Sequence, residues 1–102
     1  MPDYSFHPDA QAEYERSIQY YLDQVSPIIA AAFLAEVEEA IRRIVASPTT
    51  WPVMDHPEVR RYLVKRFPYA LYYRWEANQS RVSIYAVMHL SRRPGYWRSR
   101  VS

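Results

Sequence analysis

The residues best placed to do chemistry lie together near the end of the chain: His89-Leu90-Ser91-Arg92-Arg93-Pro94-Gly95-Tyr96-Trp97-Arg98. A histidine changes charge near neutral pH, so it can pass a proton. The two arginines that follow it carry planar guanidinium forks suited to phosphate or carboxylate oxygens. The same residues also have a purely structural use, with His89 bonded locally and the arginines solvated or paired to helix carboxylates. A second basic cluster, Arg60, Arg61, Lys65, Arg66 and Arg74, is interleaved with Tyr62, Tyr69, Tyr72 and Tyr73. Tyrosines among cations can stack on nucleobases; they can equally pack a core or a sheet surface. No Ser/His/Asp set and no carboxylate pair can be argued from spacing.

Composition removes several classes of function. Gly95 is the single glycine, which excludes a Gly-rich phosphate loop and a dinucleotide fingerprint. The absence of cysteine excludes disulfides, thiolate zinc sites and cysteine nucleophiles. His7, His56 and His89 lack metal-ligand spacing, so neither a metal nor any other cofactor is expected. No apolar run approaches the roughly 20 residues that span a bilayer. Met1-Pro2-Asp3-Tyr4 has no secretory pattern, so the expectation is a cytoplasmic protein with no membrane partner. The formal charge is only +2, but its distribution is uneven. Twelve of the thirteen basic residues are arginine, and from Arg60 onward ten Lys or Arg stand against one acid, Glu76. That half calls for an anionic partner, either nucleic acid or an acidic protein segment.

The elements that position these groups follow from periodicity. The length suits one domain, taken as residues 1–102. Tyr4 to His7 reads as a short strand, and Pro8 opens a helix. Ala10, Tyr14, Ile18, Leu22 and Val25 form its apolar stripe with Tyr21 alongside, leaving Gln11, Glu13, Glu15, Arg16 and Gln19 largely on the other side. Ser26-Pro27 is an N-cap and first position. A second helix then carries Ala30, Phe33, Val37, Ile41 and Ile44 inward, pairs Glu38 with Arg42 and Glu39 with Arg43, and ends near Ser47-Pro48. The segment Pro48 to Pro57 reads as an irregular connection whose Trp51 packs on the core. Strands follow at Arg61–Phe67, Tyr69–Trp75 and Val82–His89, with a turn at Glu76–Ser80. On the last strand Val82, Ile84, Ala86 and Met88 share the core face, while Ser83, Tyr85, Val87 and His89 share the other. The expected fold is α+β, β-α-α-β-β-β: an N-terminal strand and a helical hairpin packed on one face of an antiparallel sheet. The far face is left to tyrosines, arginines and a histidine, ahead of a basic, aromatic tail, Ser91 to Ser102.

Two segments carry a family resemblance. Val59-Arg60-Arg61-Tyr62-Leu63-Val64-Lys65-Arg66-Phe67-Pro68-Tyr69-Ala70-Leu71-Tyr72-Tyr73-Arg74 resembles the central strands of ParE/RelE-type toxins. So does Ile84-Tyr85-Ala86-Val87-Met88-His89 followed by Arg92-Arg93-Pro94 and Trp97. The likeness covers essentially the whole chain. It implies a type II toxin neutralised by a cognate antitoxin whose extended, helical tail wraps it, with no small-molecule cofactor. Two activities occur in such proteins. RelE-like members cut mRNA in the ribosome, whereas ParE-like members poison DNA gyrase.

In the nucleases, the strand with a hydrophobic-hydrophobic-Tyr pattern is typically preceded by an arginine that binds the scissile phosphate. Here Ala70 precedes Leu71-Tyr72-Tyr73, and a methyl group cannot bind phosphate. Arg92 or Arg93 matches the late arginine, and Tyr96 lies near the C-terminal tyrosine. The nuclease set is thus incomplete and the resemblance favours the ParE-like branch, with DNA gyrase as target. The alternative is an mRNA endonuclease with His89, Arg92 and Tyr96 as catalytic residues; a third reading is an inactive toxin that only binds antitoxin. Whether the protein is an enzyme depends on that choice. In either case Arg60, Arg61, Lys65, Arg74, Arg92, Arg93, Trp97 and Arg98 are the candidates for contact with target or antitoxin.

Overall fold

A computed structural model of the protein describes residues 3–101; Met1, Pro2 and Ser102, which enter the readings of the N-terminal segment and the tail, lie outside these. The elements run β1 (Asp3–Phe6), α1 (Pro8–Gln24), α2 (Pro27–Ala46), β2 (Val53–Asp55), β3 (Val59–Leu63), β4 (Tyr69–Glu76) and β5 (Arg81–His89). Both helices begin on proline, whose fixed φ fits the first turn and whose missing N–H has no intrahelical partner there anyway. The Ser26 hydroxyl accepts from the Ile29 amide at 3.1 Å, and His7 Nδ1 accepts from the Asp9 amide at 3.1 Å. Glu39 pairs with both Arg42 and Arg43; the bridge from Glu38 to Arg42 is not formed. None of the helices is long and apolar enough to cross a membrane, among the described residues.

The sheet has the order β1-β5-β4-β3-β2. It departs from the expected meander in three ways. It is mixed, because β1 runs parallel to β5 with Asp3 opposite Arg81 and Phe6 opposite Ile84. It also has a fifth strand, because Val53–Asp55 in the proline-rich connection pairs with β3 at the edge, a position that tolerates neighbouring prolines. Finally, β3 stops at Leu63. Lys65 and Arg66 therefore sit in the turn before β4, with Arg66 in the left-handed region at φ 67°, and strand alternation does not apply to them.

A one-residue bulge on β5 reassigns the faces. Tyr72 lies opposite Ala86 and Tyr73 opposite Ile84, leaving Tyr85 as the extra residue. Every side chain after it switches sides. Val82 and Ile84 therefore share the helix face with Val87, not with Ala86 and Met88. That face builds the main core, in which Phe33 packs against Tyr69 at 4.7 Å, Tyr21 at 5.1 Å and Phe67 at 5.3 Å. Trp51 joins it edge-on to Tyr62 at 4.7 Å, as its sequence position suggests. The far face is covered as well: Val59, Ala70, Tyr72, Ala86 and Met88 form a second core closed by Trp97 of the tail. Leu22 and Val25, placed on the apolar stripe of α1, are exposed at the hairpin tip beyond the reach of the sheet.

Burial raises the phenols of Tyr14 and Tyr21 from 10.0 to about 12, with the Glu38 charge adding at Tyr14 and Tyr69 adding at Tyr21. Between those pH values the unfolded chain has lost protons that the native state keeps, so stability must fall as pH rises through that window. Tyrosinate absorbance and circular dichroism should then report a group of late-titrating tyrosines whose ionisation accompanies unfolding. Titration of all ten tyrosines near 10 with the fold intact would contradict this.

Candidate functional site

Strand β1 ends at Phe6, where the chain turns into α1. The far half of β5 therefore loses its neighbour on that side, and its backbone groups need other partners. One turn and a half into α1, Glu13 supplies them. It is the one buried charged residue among those described, 4% exposed, and its Oε1 accepts from the Val87 amide at 3.1 Å. Arg100 completes the arrangement: Nη1 donates to the Tyr85 carbonyl at 3.0 Å and Nη2 donates to Glu13 Oε2 at 2.9 Å. A carboxylate and a guanidinium thus take the place of the missing strand. The clasp also pins the tail to α1. Burial opposes the charge on Arg100, but its bond to Glu13 and that carboxylate's charge outweigh the penalty and hold its pKa above the ordinary value.

Tyr96 lies beside this pair with the Arg92 guanidinium 3.8 Å and the Arg100 guanidinium 5.0 Å from its ring centre. Its hydroxyl is buried, and burial, reinforced by the Glu13 carboxylate, pushes the phenol well above its ordinary range. Arg92 also reaches to 3.5 Å from Glu13 Oε2. Next to it a notch of about 160 Å³ opens between α1 and the end of β5, lined by Arg16, Ser17, Tyr20, Tyr69, His89 and Arg92 with Glu13 and Val87. The bulge at Tyr85 is what turns His89 toward this notch and not to the far face. His89 packs edge-on to Tyr69 at 5.1 Å, and its Nδ1 faces the Ser91 amide at 3.0 Å and the Ser91 hydroxyl at 2.7 Å.

The structure divides the basic residues picked out in the sequence. His89, Arg92 and Tyr96 come together at the notch and clasp. Arg93 is exposed and makes no ion pair among the described residues. Trp97 lies on the opposite side of the sheet, stacked on Tyr72 at 4.7 Å. Arg98 bonds to Asp55 of β2 and holds that carboxyl below its ordinary pKa; its guanidinium fills the space where a side chain on Gly95 (φ 80°) would go. Arg60 donates to the carbonyls of Thr49 at 3.0 Å and Trp51 at 2.7 Å, fixing the connection after α2. Arg74 lies 3.7 Å from Glu76. Arg61 is half-buried opposite Tyr72 on the far face, and Lys65 is exposed beside Trp51 and Tyr62. Glu13, Arg16 and Arg100 were not singled out in the sequence, and Glu13 belongs to the inner face, not the polar one. The available signal was its spacing of three from Ala10 and four from Ser17, which puts it on the sheet-facing side of α1. Among the described residues no group of three His, Cys, Asp or Glu could hold a metal ion.

Comparison with known proteins adds to this geometry. The family model described as the ParE toxin of the type II toxin–antitoxin system, parDE, matches residues 4–94. A solved chain from the chromosomal ParDE toxin–antitoxin system of P. aeruginosa superposes with a TM-score of 0.74 at 17% identity, covering 89% of this chain and 98% of that one. The isolated E. coli RelE toxin superposes with a TM-score of 0.64 at 13% identity, covering 98% of this chain and 96% of the other. At these identities the likeness is one of fold. No curated protein matches the chain at a significant level.

Proposed function

The chain belongs to the ParE toxin family of type II toxin–antitoxin systems, and from that premise we propose that it acts in the cytoplasm as a poison of DNA gyrase, held in check by a cognate antitoxin protein. The observation that carries this reading is Ala70. Where the resemblance leads one to expect an arginine for the scissile phosphate, the chain has a methyl group that is 0% exposed, sealed in the second core with Met88 opposite it. A phosphate cannot approach there. Tyr96 supports the same reading, because its hydroxyl is buried in the fold and a proton acceptor must come within hydrogen-bond reach of the attacking ribose hydroxyl.

The test is direct. The purified protein should block supercoiling by gyrase at near-stoichiometric amounts and leave mRNA intact on translating ribosomes. Codon-phased cuts with normal supercoiling would overturn the proposal in favour of the second reading, a ribosome-dependent nuclease. That reading has one observation in its favour, the convergence of His89 and Arg92 on a single notch. Under it His89→Ala or Arg92→Ala abolishes cleavage.

A further inference from the structure

Resting on the reading of this chain as a toxin held by an antitoxin, we infer that the notch between α1 and the end of β5 seats one acidic side chain of that antitoxin, gripped by Arg16 and Arg92. The notch, about 160 Å³, has room for a carboxylate-sized group. The cations are available. Both oxygens of Glu13 are already held, by the Val87 amide at 3.1 Å and Arg100 at 2.9 Å, so Arg92 at 3.5 Å is a peripheral partner with donors to spare. Arg16 is exposed and makes no ion pair among the described residues. Two guanidinium groups across a small notch match the fork geometry by which arginine grips a carboxylate.

The surroundings select a protein over a nucleic acid. Tyr20 lies one helical turn beyond Arg16 and is 55% exposed, and Tyr69 and Val87 form the inner wall. A helix offering an acid and an apolar side chain one turn apart would meet both features. A phosphodiester chain leaving the notch along α1 would instead run past Asp9, Glu15 and Asp23, with Arg16 as the lone cation of that helix. Electrostatic complementarity here is local and single-valued, the pattern of a specificity contact.

The test uses the full-length toxin and its full-length cognate antitoxin in titration calorimetry. Arg16→Ala, on an exposed position whose loss leaves the fold intact by circular dichroism, should weaken binding about tenfold or more, as should Arg92→Ala. One Asp→Asn or Glu→Gln antitoxin variant should show a loss that does not add to that of Arg16→Ala, the mark of direct contact. Unchanged affinity for Arg16→Ala, or additive losses with every antitoxin variant, overturns the inference while leaving gyrase poisoning untouched. Binding of an oligouridylate RNA that disappears in Arg16→Ala, with antitoxin affinity unchanged, overturns it in favour of nucleic acid. An antitoxin that fails to bind the unaltered toxin removes the reading beneath it.

Discussion

Glu13→Ala is expected to destabilise the fold by about 3–5 kcal/mol, the range for removing one partner of a buried ion pair. The substitution strips Arg100, whose side chain is 12% exposed, of its closest carboxylate and leaves the Val87 amide without an acceptor. Two penalties then add, a desolvated charge and an orphaned backbone donor. Against a total of about 5–15 kcal/mol for a domain of this kind, that is a large fraction. Thermal unfolding followed by circular dichroism should show the midpoint falling by roughly 12 °C or more, at about 4–8 °C per kcal/mol. Glu13→Gln keeps an acceptor for the Val87 amide and loses only the charge, so it should fall between. A loss below about 1 kcal/mol for Glu13→Ala, the value of a solvent-exposed pair, would show that the clasp does not hold the tail.

Trp97→Ala is the second large effect, again about 3–5 kcal/mol, the usual loss for deleting a buried large aromatic. Trp97 is 3% exposed and stacks on Tyr72 with ring centres 4.7 Å apart and planes 30° from parallel. Its removal would uncover Ala70, Ala86 and Met88 on the far face of the sheet. Trp97→Phe should cost much less, because it keeps a ring there and deletes an indole N–H that has no hydrogen-bond partner in the fold. Urea unfolding separates the cases. A lower midpoint with an unchanged slope reports lost stability, whereas an unchanged midpoint in Trp97→Ala would mean that the tail is not part of the core.

The contrast between these two residues shows what was legible in the sequence. The helical hairpin could be read almost to the residue, because Ser26-Pro27 and Ser47-Pro48 are local signals for caps and breaks. The strands β4 and β5 were equally plain from their composition. The bulge at Tyr85 was not, since nothing local distinguishes an unbroken alternation Val82, Ile84, Ala86, Met88 from one that slips by a residue. The slip is decided by how β5 pairs with β4. The parallel pairing of β1 was hidden for the same reason, being a contact between the two ends of the chain. The candidate site suffered most. His89, Arg92 and Tyr96 were found because they cluster in sequence. Glu13 and Arg100, 87 residues apart, act as one group only after folding. Trp97 was recognised as a contact residue but not as a core residue, because two of its apolar partners, Ala86 and Met88, lie on the half of β5 that the sequence assigned to the opposite face.

The clasp between Glu13 and Arg100 also has a consequence for timing. During synthesis the helical hairpin can form as soon as it leaves the ribosome, since its contacts are local. The sheet cannot close so early. β1 must wait for its partner β5, and Glu13 must wait for Arg100, nearly the whole length of the chain later. Until residue 100 has emerged, the far half of β5 carries a bare edge, the notch lacks its Arg92 wall in place, and the second core has no Trp97 to close it. The clasp, the notch and the second core therefore come together only late in synthesis, long after the hairpin that carries Glu13 has been made.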